Sequence, residues 1–206
     1  MGHDIDPTAH ISPILVVGMG RLQAGPGAFV GVGTVLKDMK SVSLGPNSFV
    51  GGWNFISSAQ PLNQHLSDSG ALIIGDSAGI TSRHTLDCSG TVELRPFSIV
   101  AGHGSELLTH SIDLTENVQT ARRITIGERS FVGTHAVLLG GVSVPERSVV
   151  AAGAVVAGGE FQPGSLIAGV PGKSKRSVEG KWFDRESEKT NTVLDPLTGA
   201  RVEDAF

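Results

Sequence analysis

The sequence predicts an all-β solenoid built from six-residue units. Three observations carry this. Ile126, Val132, Leu138, Val144, Val150 and Val156 follow one another at intervals of six without a slip. Four positions after the first five of these stand Ser130, Ala136, Val142, Ser148 and Ala154, all small or modest in size. The chain of 206 residues holds 28 glycines and 10 prolines but no tyrosine, so turns are frequent while aliphatic residues stay interleaved. An α-helix would carry a residue six positions on around to its far side, and a plain strand would alternate by two. A short strand plus a turn, repeated, puts one aliphatic residue inward per unit. The small residue lets the chain bend at each corner.

The earlier chain keeps the same beat with interruptions. Leu44, Val50 and Ile56 form one run, and Ile74, Ile80, Leu86 and Val92 form another. The phase then moves by two, to Leu94 and Val100, which predicts a bulge or local irregularity there. Residues 57–71, "SSAQPLNQHLSDSGA", and residues 109–123, "THSIDLTENVQTARR", are polar and fall outside the beat. In a solenoid such insertions project as loops, often from the functional face. The solenoid is expected over residues 1–172. From 173 to 206 charge rises and the beat ends. Trp182 and Phe183 are expected to dock this extension on the solenoid or on a neighbouring subunit.

Composition narrows the function classes. A formal net charge of −4 gives no basic footprint for nucleic acid. Cys88 is the only cysteine, so no internal disulfide can form and a reducing compartment is expected. "MGHDIDPTAH" has no positive region of a signal peptide, and the apolar run 14–17 is too short to span a bilayer. A cytoplasmic protein that neither crosses nor anchors to a membrane is expected.

The block "ITIGERSFVGTHAVLLGGVSVPERSVVAAGAVV", followed by "IAGVPGK", resembles the hexapeptide-repeat acyltransferases, and "THSID" before "ITIG" resembles the active-site segment of the sugar O-acetyltransferases among them. The resemblance is strong over residues 124–173, weaker over 5–123, and absent beyond. It implies a left-handed parallel β-helix with three flat sides, a homotrimer with active sites between subunits, acetyl-CoA as co-substrate, and a saccharide acceptor. Handedness rests on the resemblance alone, because the general crossover rule would favour the opposite hand.

Acyl transfer to a hydroxyl needs a base for the hydroxyl proton and donors for the oxyanion. Among seven histidines, His110 begins a polar insertion beside Ser111 and Asp113. Read by itself it fits an exposed loop histidine better than a base; the resemblance implies the general base. Asp113 and Glu106 are candidates to orient its ring, as is any backbone carbonyl. Glu106 falls six after Val100, where the beat expects an aliphatic residue. His84, in a slot elsewhere held by a small residue, is either a substrate-binding neighbour of His110 or a hydrogen-bonded corner histidine. His103 and His135 fall three after aliphatic slots and should point outward. Trp53 and Asn54 interrupt an aliphatic run and are candidates to bind the sugar, although Trp53 equally suits a subunit contact. By resemblance, Thr134 and Ala152 would line the pantetheine groove, and Lys173 and Arg176 would meet the CoA phosphates. A Thr-Lys pair that relatives often carry after the last repeat is replaced by Ala157-Gly158.

Other functions stay open on these residues. An amino sugar would use the same base. A γ-type carbonic anhydrase would need three metal-binding histidines, and His84, His103 and His110 have the wrong spacing for that family. A non-catalytic scaffold would bind no CoA. No metal is expected, and a covalent acyl-enzyme is not, because no Ser-His-Asp arrangement is evident.

Overall fold

The computed structural model describes residues 2–187 and 189–204. The chain winds into a three-sided solenoid whose three faces, among the described residues, are sheets of seven, nine and seven strands, all parallel except the last of the nine. The first face stacks Asp4–Ile5, Arg21–Ala24, Ser41–Leu44, Ala71–Ile74, Val92–Leu94, Ile124–Ile126 and Ser143–Val144. The second stacks His10–Ile11, Phe29–Val30, Phe49–Val50, Gly79–Ile80, Ile99–Val100, Phe131–Val132, Val149–Val150 and Ser165–Ala168. The third runs Leu15–Val17, Val35–Lys37, Phe55–Ser57, Thr85–Asp87, Glu106–Leu108, Val137–Leu139 and Val155–Val156. Each turn of the solenoid therefore visits the three faces once.

The aliphatic beat is the core. Leu44, Ile74, Leu94, Ile126 and Val144 stack inward on the first face, Val50 to Val150 on the second, and Ile56 to Val156 on the third. Fully burying each such side chain contributes roughly 1.5–3 kcal/mol. The small residues fill the corners as expected: Ser130, Ala136, Val142, Ser148 and Ala154 are all buried.

The phase shift at residue 94 is not a bulge. Val92–Leu94 pairs in unbroken register with Leu72–Ile74 on one side and Ile124–Ile126 on the other. First-face strands carry two inward residues, so Val92 and Leu94 are both buried within one strand. The two extra residues lie in the preceding turn.

Both polar insertions leave the same edge, where the third face returns to the first. The first forms a short helix, Gln60–His65, with Pro61 near its start. The second forms an antiparallel hairpin, His110–Asp113 with Val118–Ala121. Insertions at a corner leave the stacked ladders intact, which is why the fold tolerates them.

The solenoid sheet runs past the expected boundary at 172. Lys173–Ser177 adds an antiparallel edge strand to the second face, with a register shift against Leu166 and Ile167. The extension then docks on its own chain. Trp182 packs edge-on against Phe131 and Phe183, and the Arg185 guanidinium lies 3.8 Å over the Trp182 ring. Arg129 donates to the carbonyls of Phe183 and Arg185, at 2.8 and 2.7 Å. Burial, with Arg129 adding like charge, lowers the Arg185 pKa to about 10. Among the described residues no helix is long and apolar enough to cross a membrane.

Candidate active site

The hairpin 110–121 overhangs a cleft of about 340 Å³ at the edge between third and first faces. Leu108, Leu139 and Ala157 form its floor; His110, Asp113, Thr120 and Arg122 are among the groups around it. The alternation in "HSID" and "VQTA", joined through a polar turn with Asn117 at positive φ, is what makes this segment a hairpin.

His110 is fixed at the hairpin base. Its backbone N–H donates to Asp87 Oδ2 at 2.9 Å. Asp87 Oδ1 also accepts from the Ser89 backbone N–H at 3.0 Å and from the Ser89 hydroxyl. Thr109 Oγ1 accepts from Gly90 N–H and donates to the Asp87 carbonyl, both at 2.8 Å. The imidazole Nε2 faces Gln119 Oε1 at 3.1 Å. His110 and Gln119 share one face of the hairpin because register pairs His110 with Ala121 and Ile112 with Gln119. With the amide oxygen accepting, the ring proton sits on Nε2, and among the described residues nothing pairs with Nδ1.

Neither carboxylate expected to orient the ring does so here. Asp113 Oδ1 instead accepts from the backbone N–H groups of Thr115 and Glu116 and holds the hairpin turn. Glu106 is exposed on the outer side of the third face. The turn before it carries one extra residue, so Leu107 takes the inward slot, fully buried and paired with Leu86 and Leu138. Asp87, Gln119 and Arg122 were not among the expected groups. The hairpin signature in 110–121 was the available signal for Gln119.

The two insertions are tied together. Arg123 donates to Asp68 through Nε at 3.0 Å and Nη2 at 2.8 Å, and through Nη1 to Glu93 at 2.6 Å. The Arg123 guanidinium holds the Asp68 carboxyl below its ordinary range.

His84 and Asn54 are buried and do not line the cleft beside His110. Each is 1% exposed, at the corner between second and third faces. Asn54 Nδ2 donates to the carbonyls of Gly51 and Thr81, and its Oδ1 accepts the His84 backbone N–H. His84 Nδ1 accepts from Ser105 N–H at 3.1 Å, and Nε2 donates to Thr81 Oγ1 at 2.9 Å. Burial lowers the His84 pKa to about 4, with His103 and His135 adding like charge. His84 precedes its third-face strand and His110 follows one, so they stand at opposite edges of that face. Trp53 is at the same corner as Asn54 with a positive φ of 62° and 61% exposure, away from the cleft. His103 and His135 are exposed and meet edge-on, ring centroids 4.8 Å apart.

The residues assigned to CoA gather at that second-to-third corner in the last coils. Thr134 and Ala152 occupy equivalent turn positions one coil apart, and Gly153 N–H donates to the Thr134 carbonyl. Lys173 pairs with Ala168, whose neighbour Gly169 accepts from Val155 N–H. Arg176 lies further along the same edge strand, paired with Leu166. All of Lys173–Ser177 is exposed. Glycines and alanines at 133, 151, 152 and 153 leave this corner free of bulk. Among the described residues, no three His, Cys, Asp or Glu side chains converge as a metal-ligand set.

Comparison with known proteins bears on the fold. A family model described as the hexapeptide repeat of succinyl-transferase matches residues 123–157. No curated protein sequence matches significantly. Among solved structures, the N-acyltransferase AntD of Bacillus cereus, in complex with dTDP-4-amino-4,6-dideoxyglucose and coenzyme A, superposes with a TM-score of 0.62. It is 15% identical, over 78% of this chain and 86% of its own. The polysialic acid O-acetyltransferase OatWY gives 0.56 at 17% identity, over 86% of this chain and 90% of its own. A hexapeptide-repeat acetyltransferase of Vibrio cholerae O1, complexed with acetyl coenzyme A, gives 0.50 at 19%, over 75% and 72%. The fold is thus the left-handed parallel β-helix of such acyltransferases.

Proposed function

We propose that this hexapeptide-repeat chain is an acyltransferase that moves an acetyl group from acetyl-CoA to a saccharide hydroxyl, with His110 as general base. The observation that carries the reading is the His110 ring, which lines an open cleft with Nε2 against Gln119 and, among the described residues, no hydrogen-bond partner at Nδ1. The fold's likeness to acyltransferases solved with coenzyme A supports the same chemistry.

In this reading Nδ1 takes the hydroxyl proton as the sugar oxygen attacks the thioester carbonyl carbon. The tetrahedral intermediate collapses with breaking of the C–S bond. The imidazolium then returns its proton to the leaving thiolate. Transfer is direct, with no acyl-enzyme. Cys88, the one thiol, is fully buried and its pKa is raised by burial. Thr134 and Ala152 would line the pantetheine arm, and Lys173 and Arg176 would neutralise phosphates.

The layout also supports a homotrimer. Within one chain, His110 and the Thr134–Ala152 corner lie at opposite edges of the third face. About five extended residues separate them, roughly 15 Å. A neighbouring copy that places its corner against this hairpin would bring thioester and base together. A cytoplasmic setting fits the same reading, since acetyl-CoA is a cytoplasmic metabolite.

The test is paired. Calorimetric titration with acetyl-CoA should saturate, and Lys173→Ala should weaken it. His110→Ala should bind acetyl-CoA normally and lose about 100-fold or more in turnover. Full turnover in a folded His110→Ala protein would remove the base, and absence of acetyl-CoA binding would remove the reading as a whole.

A further inference from the structure

We infer that the acceptor is an anionic saccharide and that Arg122 binds its negative group. The inference rests on the acyl-transfer reading above and names the substrate class of that site. Two adjacent arginines close the hairpin, and they differ sharply. Arg123 is spent: its three donor nitrogens hold Asp68 and Glu93. Arg122 makes no ion pair and no side-chain hydrogen bond among the described residues, and it lines the cleft beside His110.

Three charged or chargeable side chains line that cleft, His110, Asp113 and Arg122. Asp113 is engaged with its own turn and forms no ion pair with Arg122 among the described residues. An unpaired guanidinium in a protein of net charge −4 is a local device, not a reflection of overall composition.

The backbone of Arg122 is set as firmly as that of His110. Its N–H donates to the Thr109 carbonyl at 2.9 Å, and Thr109 is the residue before His110. Gly90 and Gly140 pack against its backbone, where an added Cβ would come within 3.0 and 3.4 Å of the Arg122 oxygen. The side chain then packs along Gly141 at van der Waals distance. Thr109 thus anchors both the base and the cation. A planar guanidinium presents paired donors that match a carboxylate or a phosphate. A saccharide whose hydroxyl reaches Nδ1 would therefore place an anionic group within reach of Arg122. That group is either the carboxylate of an acidic sugar or the diphosphate of a sugar nucleotide.

The experiment follows His110 ring resonances by NMR in the full-length protein. Glucuronate, pyrophosphate and neutral glucose serve as probes, beside an acetyl-CoA titration run separately. Both anions, or one of them, should shift the His110 ring at millimolar concentration, while glucose at equal concentration should not. Arg122→Gln should weaken the anion response by about tenfold or more, and Arg122→Lys should recover part of it. A response to glucuronate alone assigns the carboxylate; a response to pyrophosphate alone assigns the diphosphate. If glucose shifts the ring as strongly as the anions, or Arg122→Gln responds like the native protein, the inference falls while acyl transfer stands. If acetyl-CoA does not bind, the transfer reading falls and takes this inference with it.

Discussion

The amide oxygen of Gln119 stands 3.1 Å from Nε2 of His110, nine residues away in sequence and adjacent on the hairpin. A neutral acceptor at that nitrogen selects the tautomer without stabilising the charged ring as a carboxylate would. Gln119 is therefore a positioning residue. Gln119→Leu should lower kcat while the KM for acetyl-CoA stays constant. Native kcat in Gln119→Leu would show that the amide has no part in positioning the ring.

The bidentate grip of Arg123 on Asp68 joins two insertions 55 residues apart. Both side chains are partly exposed, so solvent screens the pair and its net worth is about 0.5–1 kcal/mol. The larger effect should be local. Asp68→Asn should leave the melting temperature nearly unchanged yet speed amide exchange across 110–121, measured by mass spectrometry. Unchanged exchange in the hairpin would mean that Asp87 and Thr109 hold it without the first insertion.

His84 makes stability depend on pH. In the fold Nδ1 accepts from Ser105 N–H, so a proton on Nδ1 would set two donors against each other. The unfolded chain protonates His84 near 6.5 while the folded one resists until about pH 4. Stability is thus complete above pH 6.5 and falls as pH drops from 6.5 towards 4, by roughly 2–3 kcal/mol. His84→Asn, which mimics the residue one coil earlier, should flatten the denaturant-midpoint curve over this window. An equally steep curve in that variant would assign the loss to other groups.

Phe183 pins the C-terminal extension. It is buried beneath Trp182 and the Arg147 guanidinium, and its carbonyl accepts from Arg129. Truncation of a buried aromatic removes about 3–5 kcal/mol of packing. Here that loss should release the extension and leave the solenoid intact. Limited proteolysis of Phe183→Ala should cut within 178–187 and yield a stable core. Resistance equal to the native chain would mean that the arginine contacts suffice.

How much of this was legible in the sequence divides along one physical line. The six-residue period, the inward aliphatic column and the small corner residues are local facts, because burial of apolar side chains forces each unit to repeat its own geometry. The same rule puts Asn54 and His84 in the corner slot, four after Val50 and Ile80, where both are buried. Glu106 misled because a uniform count of six ignored the extra residue in "AGHGS" that hands the slot to Leu107.

The sequence by itself determined a solenoid, its core, its two insertions and a histidine at the start of one of them. Only the tertiary structure decided what that histidine meets. Coil lengths and insertions set which residues of separate turns come together. So Asp87 lies under the His110 backbone, Asp68 reaches Arg123, and Arg122 lines the cleft with no ion pair among the described residues. Those pairings depend on stacking between coils, which no spacing within one repeat encodes.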